Sequence, residues 1–239
     1  YLEHPYPAFR GLNLTELVRR CLARHESRYD RPGDDPFADD WAAPLEGQLV
    51  DLADEIAYTC ADLYDAVEAR WIAPEQLDGL ELWRAAAERV ERAMPAASAV
   101  HRAIAANREM LALLTDDVLA ETAQRLLRAH PSDCRELQRA GRRLASFSEA
   151  MAPKVLAVQE FLLAGVYRHP ESRRQDEQGG RVIADLFAAY LADPSLLPDR
   201  YRRRIEDEGP HRTTCDFIAG MTDRYARKEH ERVGERGLD

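Results

Sequence analysis

The sequence predicts an all-α protein. Apolar residues recur at intervals of three and four over most of the 239 residues, which is the spacing of one face of a helix. No segment of useful length alternates in the manner of a strand, and Pro-rich or Gly-rich stretches separate the helical segments. We therefore expect one large helical domain, in which antiparallel helices surround one core.

Helix start and stop signals place the elements in order. Asn13 or Thr15 caps the first predicted helix, residues 13–27, and a loop rich in Pro, Gly and Asp follows at residues 31–40. The remaining helices are predicted at residues 48–71, 75–94, 97–130, 132–148, 153–167, 181–192 and 213–233. The glycine pair in residues 178–180 (QGG) indicates a loop, and residues 193–195 (DPS) indicate a turn.

Composition limits the function classes. A hydrophobic share of 45% is normal for a globular core, whereas a net charge of −10 disfavours nucleic-acid binding, which needs clustered Lys and Arg. The four cysteines are far apart, so they predict reduced thiols and neither a zinc knuckle nor a disulfide framework. No apolar run approaches the roughly 20 residues of a membrane span, and the expected compartment is the cytoplasm.

The helix at residues 48–71 carries the most informative pattern. Asp54, Tyr58 and Asp62 stand four residues apart and share one face of this helix. One interpretation is a solvated acidic face. Asp54 is flanked by apolar residues, namely Leu52, Ala53, Ile56, Ala57 and Cys60. We therefore expect its carboxylate to lie near buried surface, where it needs a metal, a base or a hydrogen-bond donor.

Five blocks along the chain form a recognisable set, of which the first to note is residues 51–58 (DLADEIAY), followed by Asp62 and Asp65. The other blocks are residues 9–15 (FRGLNLT), 161–170 (FLLAGVYRHP), 196–198 (LLP) and 215–226 (CDFIAGMTDRYA). In their order along the chain, the blocks resemble those of the deoxyguanosine triphosphate triphosphohydrolase-like HD-domain family, and residues 51–58 are similar to its last metal-ligand motif. The resemblance implies the C-terminal part of an HD-domain-like bundle: residues 1–72 end the catalytic core, and residues 73–239 form a helical region that completes it.

By this resemblance, a divalent metal is held by an H…HD…D set in which Asp54 matches the distant aspartate. Such ligands suit Mn or Mg, with Fe, Ni or Zn as alternatives. None of the seven histidines is followed by Asp, and one carboxylate cannot hold a catalytic metal. We therefore expect no catalytic residue and no activity in the chain alone, and we expect the sequence to begin inside a longer natural chain.

The resemblance also implies that Tyr58 and Asp62 bind deoxyribose, the carboxylate accepting from the 3′-hydroxyl and the ring packing beside the sugar. The alternative is a core tyrosine and a helix-surface acid. A triphosphate needs basic residues, and the candidates are Arg102, Arg108, Arg168, Arg173, Arg174, Arg181, Arg212 and Arg224, each of which could instead form a surface ion pair. Asp216 and Asp223 could be metal ligands by type, but a structural role is favoured.

Two functions remain open at this stage. The first is metal-dependent hydrolysis of deoxynucleoside triphosphates to deoxynucleoside and triphosphate. The second is a non-hydrolytic, nucleotide-responsive helical assembly or regulatory module, which the missing H…HD residues support. The resemblance implies a homo-oligomer under both hypotheses, and no residue indicates a base preference.

Overall fold

A computed structural model of the protein describes residues 12–26 and 35–236. Every regular element in these residues is helical, so the predicted all-α class is confirmed. The chain divides into two compact units, Leu14–His169 and a unit that contains Pro170–Asp239. Each unit has its own hydrophobic cluster, whereas the sequence led us to expect a single core. The predicted domain boundary after residue 72 stays a prediction.

The described residues of the unit Leu14–His169 form six α-helices, with a 3₁₀ segment at Pro74–Gly79 and a π-helical segment at Leu163–Tyr167. The α-helices are α1 (Glu16–Ala23), α2 (Leu45–Glu68), α3 (Glu81–Ala93), α4 (Ala99–Ala129), α5 (Cys134–Arg139) and α6 (Ala152–Leu162). Helix α4 packs against α2 and α3, and α6 packs against the same two helices. Helix α2 therefore lies at the centre of this unit.

Side-chain caps begin two of these helices, and Thr15 is one of the two caps that the sequence offered for α1. The Thr15 side chain accepts a hydrogen bond from the backbone N–H of Val18 at the start of α1, and Ser98 does the same for His101 at the start of α4. His130 ends α4 in the left-handed region, at φ 43°. Residue 27, where the first helix was predicted to end, lies outside the described residues. So do residues 31–34, the first part of the predicted loop.

Helices α1 and α2 approach closely at a glycine. A β-carbon at Gly47 would lie 2.9 Å from the Sγ of Cys21. Only glycine fits this contact without a shift of α1.

The sequence predicted one helix over residues 132–148, but only residues 134–139 of this stretch are helical. Helix α5 ends at Arg139, and Gly141 then adopts φ +64°. Residues 143–148 then have no regular secondary structure, and the Gln48 Oε1 atom accepts hydrogen bonds from the backbone N–H groups of Leu144 and Ala145, at 2.7 and 3.2 Å. A side chain of α2 thus replaces the helical hydrogen bonds of this segment.

The second unit contains α7 (Pro170–Ala192), α8 (Asp199–Arg202), α9 (Ile205–Glu208), α10 (Pro210–Ala219) and α11 (Asp223–Arg236). Helix α7 packs against α10 and α11. The buried members of the core are Leu186, Tyr190, Leu197, Tyr201 and Phe217. No helix among the described residues is long and apolar enough to cross a membrane.

Two predictions in this unit are corrected. The predicted loop at residues 178–180 lies inside α7, and the predicted helix at residues 213–233 is two helices that separate at Gly220. A β-carbon at Gly220 would meet its nearest atom, the Asp216 carbonyl oxygen, at an ordinary 3.5 Å. The glycine therefore marks the end of α10 and not a tight helix contact.

Candidate functional site

Helix α2 carries the predicted stripe. Asp54, Tyr58 and Asp62 follow one another along the helix, one turn apart. Asp54 is exposed, Tyr58 is 49% exposed, and Asp62 is half-buried. The expectation that Asp54 lies beside buried surface is wrong, because its neighbours Ala53 and Ala57 are exposed as well.

The buried acid of α2 is Asp51, three residues before Asp54. Its side chain is 5% exposed. One carboxylate oxygen lies 2.6 Å from the Nδ1 of His25, and the other accepts from the Nη2 of Arg143 at 2.5 Å. The backbone N–H of Glu26 also points to this carboxylate, at 3.4 Å. Asp51 is therefore fully engaged in joining α2 to the end of α1 and to the segment after α5, a structural role.

Asp62 has a partner that sequence reasoning missed. The hydroxyl of Tyr167 donates a hydrogen bond to the Oδ2 of Asp62. In the part of the chain that the structure describes, this is the one hydrogen bond that Asp62 makes, so its Oδ1 keeps its capacity to accept. The carboxylate is thus oriented on one side and open on the other.

Tyr58 completes a three-residue cluster with this pair. The ring centroids of Tyr58 and Tyr167 are 6.1 Å apart, with an interplanar angle of 32°. Burial raises the pKa of Tyr167 well above its ordinary range, and hydrogen bonding to Asp62 and Tyr58 raises it further. The phenol therefore stays protonated at neutral pH and continues to donate to Asp62.

The π-helical segment Leu163–Tyr167 places Tyr167. Such segments are rare and occur frequently at functional sites. Val166, beside Tyr167, is buried in the core and anchors the segment, and the ring of His169 stacks on Trp71 at 4.8 Å and 8°. The sequence did not predict which residues the segment 167–170 (YRHP) would contact. Its presence among the family-like blocks was the only sequence signal for Tyr167.

The described residues do not by themselves form a metal site. No group of three or more His, Cys, Asp or Glu side chains in residues 12–26 and 35–236 is arranged to hold an ion. Asp54 therefore offers one carboxylate, whereas a catalytic metal takes three or more protein ligands.

Three of the eight candidate arginines form ion pairs with carboxylates. Arg102 lies 3.1 Å from Glu91, and Arg174 lies 2.7 Å from Glu171. Arg212 pairs with Asp216, as described below. The remaining candidates, Arg108, Arg168, Arg173, Arg181 and Arg224, are exposed. The ion-pair interpretation thus holds for three, and a phosphate role for the others stays a prediction.

Asp216 has the structural role that the sequence favoured. It accepts hydrogen bonds from Arg204 and, at 2.9 Å, from Arg212. Burial opposes ionisation of this carboxyl, but the two guanidinium groups outweigh burial and lower the pKa of Asp216. Asp223 is exposed in the first turn of α11, where an acid favours the helix N-terminus.

Comparison with known proteins gives one matching domain and several similar proteins. Residues 145–232 match the model of the phosphohydrolase-associated domain. A deoxyguanosinetriphosphate triphosphohydrolase-like protein of Geobacter sulfurreducens is 35% identical over 236 residues, which are 98% of this chain and 61% of that protein. A protein of the same description from Deinococcus deserti is 39% identical over 233 residues, covering 98% of this chain and 58% of the relative. The chain thus spans about three fifths of the length of these relatives.

Proposed function

Because this chain is related over nearly its whole length to the deoxyguanosinetriphosphate triphosphohydrolase-like proteins, we propose that it serves the metal-dependent hydrolysis of deoxynucleoside triphosphates to deoxynucleoside and triphosphate. The family relationship was suggested by the sequence blocks, and the comparisons confirm it. The substrate, the metal and the reaction are our proposal.

The observation that carries the proposal is the half-satisfied carboxylate of Asp62. Tyr167 fixes the carboxylate through Oδ2, and Oδ1 is left to accept from a hydroxyl group. In this proposal the 3′-hydroxyl of the deoxyribose is the donor. A substrate without that hydroxyl would leave the oriented acceptor unpaired on binding, which lowers its affinity.

The Tyr58 ring supplies the second part of sugar recognition. Half of this side chain is exposed on the same stripe as Asp62, beside the Tyr167 ring. A ring packed against the sugar leaves no space for an added 2′-hydroxyl, so a ribonucleotide is disfavoured by steric exclusion. The pair of tyrosines and Asp62 therefore forms the sugar side of the proposed site.

Asp54, two turns from Asp62 on the same face, is proposed as one ligand of a divalent metal, with Mn or Mg preferred. The described residues do not complete a metal site, and we assign the attack on the phosphate to none of them. What this chain contributes is the orientation of the sugar. We further propose that the protein acts as a homo-oligomer.

The test is triphosphate release from each of the four deoxynucleoside triphosphates, with Mn or Mg, by the longest native form of the protein that contains this sequence and by two variants of that form. Asp54→Ala removes the proposed ligand. Glu46→Gln is the matched control, because Glu46 is an exposed acid in the first turn of the same helix. We expect release that Asp54→Ala abolishes and Glu46→Gln leaves unchanged.

Other outcomes would distinguish the non-hydrolytic regulatory module from the proposed hydrolase. Binding of deoxynucleotides without release, with every metal and nucleotide mixture and with protein shown to be folded, would favour the non-hydrolytic regulatory module. Equal loss of release in both variants would show that general negative charge on α2, and not a ligand at Asp54, is required. Neither result would support the proposed hydrolase role of Asp54.

A further inference from the structure

The chain leaves helix α2 in a fixed geometry. Arg70, just after the helix, lies in the left-handed region, at φ 60°. Its backbone N–H donates to the Val67 carbonyl at 3.1 Å, and the backbone N–H of Trp71 donates to the Ala66 carbonyl at 2.9 Å. This is the hydrogen-bond pattern of a Schellman motif, which closes a helix tightly. Trp71 is therefore held at a defined place beside the end of α2.

The π-helical segment Leu163–Tyr167 packs on this end of α2 at two points. A β-carbon at Gly165 would lie 3.9 Å from two side-chain atoms of Ile72. Two residues after the segment, the ring of His169 stacks on the ring of Trp71, with centroids 4.8 Å apart and an interplanar angle of 8°. Both stacked side chains are half-buried. The segment is thus held at its middle and again just after its last residue.

The hydrogen-bond register of this segment decides where the Tyr167 side chain points. A π-helical hydrogen bond spans one residue more than an α-helical one. Conversion of the segment to α-helix would therefore rotate the residues at its end by roughly 100° about the helix axis. Tyr167 is the last residue of the segment, and this rotation would take its hydroxyl away from Asp62. An anchor that follows Tyr167 resists the rotation, and His169 provides one.

We propose that His169 and Trp71 are positioning residues, whose stack holds the π-helical register and so keeps the Tyr167 hydroxyl on Asp62. The consequence for substrate choice rests on the proposed function, in which Asp62 accepts from the 3′-hydroxyl of the sugar. Loss of the stack leaves the carboxylate present but no longer oriented, so that selection of the 3′-hydroxyl weakens. A stack with only a structural role would instead affect stability and leave this selection unchanged.

Variants of the longest native form of the protein that contains this sequence distinguish the two roles. His169→Ala removes the ring, whereas His169→Phe keeps a ring that can stack but has no N–H group. His211→Ala is the matched control, because His211 also lies beside an aromatic ring, that of Phe187 at 6.3 Å, but in the second unit. Circular dichroism and denaturant unfolding first show that each variant is folded.

The first measurement needs no nucleotide. In protein with isotope-labelled tyrosine, the NMR resonance of the Tyr167 phenol carbon is identified by its absence in Tyr167→Phe. Burial and the hydrogen bond to Asp62 raise the pKa of this phenol, so in the wild type, His169→Phe and His211→Ala it should not titrate near the ordinary tyrosine pKa of about 10. In His169→Ala it should titrate close to that value. Identical titration in His169→Ala and the wild type would overturn the positioning role.

The second measurement is the ratio of the affinities for a deoxynucleoside triphosphate and for its 2′,3′-dideoxy analogue, which lacks the 3′-hydroxyl. The ratio should fall about fivefold in His169→Ala and in Tyr167→Phe, and no further in the double variant, because both changes act through one hydrogen bond. His169→Phe and His211→Ala should keep the wild-type ratio. Additive losses in the double variant, or no recovery in His169→Phe, would contradict the proposal. A wild-type ratio near one would overturn the proposed sugar contact, and the phenol titration would then decide the positioning role by itself.

Discussion

Each unit of the molecule contains a tyrosine hydrogen-bonded to a carboxylate, and the two pairs differ in what else the carboxylate contacts. In the second unit, the Tyr190 hydroxyl donates to Glu229 at 2.9 Å, and Arg232 donates to both oxygens of the same carboxylate. Tyr190 is 0% exposed and Glu229 is 8% exposed. In the first unit, Asp62 is half-buried and accepts, among the described residues, from Tyr167 alone.

The difference separates a structural pair from a candidate binding pair. The guanidinium group of Arg232 lowers the pKa of Glu229, and hydrogen bonding from Tyr190 lowers it further, so that carboxylate is charged and fully engaged. Asp62 is held by a comparable phenol but keeps a free acceptor beside an exposed ring. Spare hydrogen-bonding capacity at an oriented group, and not the residue types, therefore marks the site.

The largest expected effect is on stability, in Glu229→Gln. This change removes the buried charge that pairs with Arg232, and we expect a loss of about 2 kcal/mol in the free energy of unfolding. Asp62→Asn should change stability by less than about 0.5 kcal/mol, because the site is half-exposed, but should lower deoxynucleotide affinity about tenfold. Denaturant unfolding and calorimetric titration measure the two effects.

The two variants serve as controls for each other. Glu229→Gln should leave nucleotide affinity unchanged in protein that remains folded. If Asp62→Asn instead costs as much stability as Glu229→Gln and leaves affinity unchanged, both pairs are structural and the comparison fails.

A smaller effect is expected in Tyr167→Phe, which keeps the ring and removes the donor. We expect a loss of about 1 kcal/mol in stability and a several-fold loss of deoxynucleotide affinity, because Asp62 is no longer oriented. The raised pKa of Tyr167 means that the folded state favours the protonated phenol. Its contribution to stability is complete below the unfolded tyrosine pKa of about 10 and is lost as the pH rises above that value.

The pH dependence is the control for this prediction. Between about pH 9 and pH 11, the wild type should lose more stability than Tyr167→Phe, since only the wild type has this phenol to titrate. Equal losses in the two proteins would show that Tyr167 titrates normally and that its bond to Asp62 is weak.

Sequence periodicity was sufficient for the elements that local signals define. Helices α2 and α4 begin and end within a few residues of their predicted positions, because apolar spacing at helical intervals is a local signal. The four-residue spacing correctly placed Tyr58 and Asp62 on one face of α2. These features depend on residues that are near one another in the chain.

The incorrect or missing predictions depend on distant residues. Asp51 is buried and Asp54 is exposed although they are three residues apart, because Arg143, 92 residues along the chain, covers only the first. Tyr167 reaches Asp62 across 105 residues. The irregular segment after α5 is held by Gln48, 96 residues away. No local pattern contains this information, and only the family resemblance indicated that residues 167–170 matter.

The smallest expected effect concerns α7, the helix that carries Tyr190 and that the sequence predicted to begin only after Gly180. A β-carbon at Gly179 or Gly180 would meet no atom within 4 Å, and neither residue has a positive φ. Gly180→Ala should therefore stabilise the protein by about 0.5 to 1 kcal/mol, since alanine reduces the conformational freedom of the unfolded chain. Thermal unfolding measures the gain, and Gly209→Ala, at φ 80°, is the control that should destabilise the protein.

A gain in stability at Gly180 with unchanged nucleotide affinity would show that the Tyr190 pair belongs to a structural unit that can be stabilised independently of Asp62. A loss would mean that α7 is not continuous through this glycine pair.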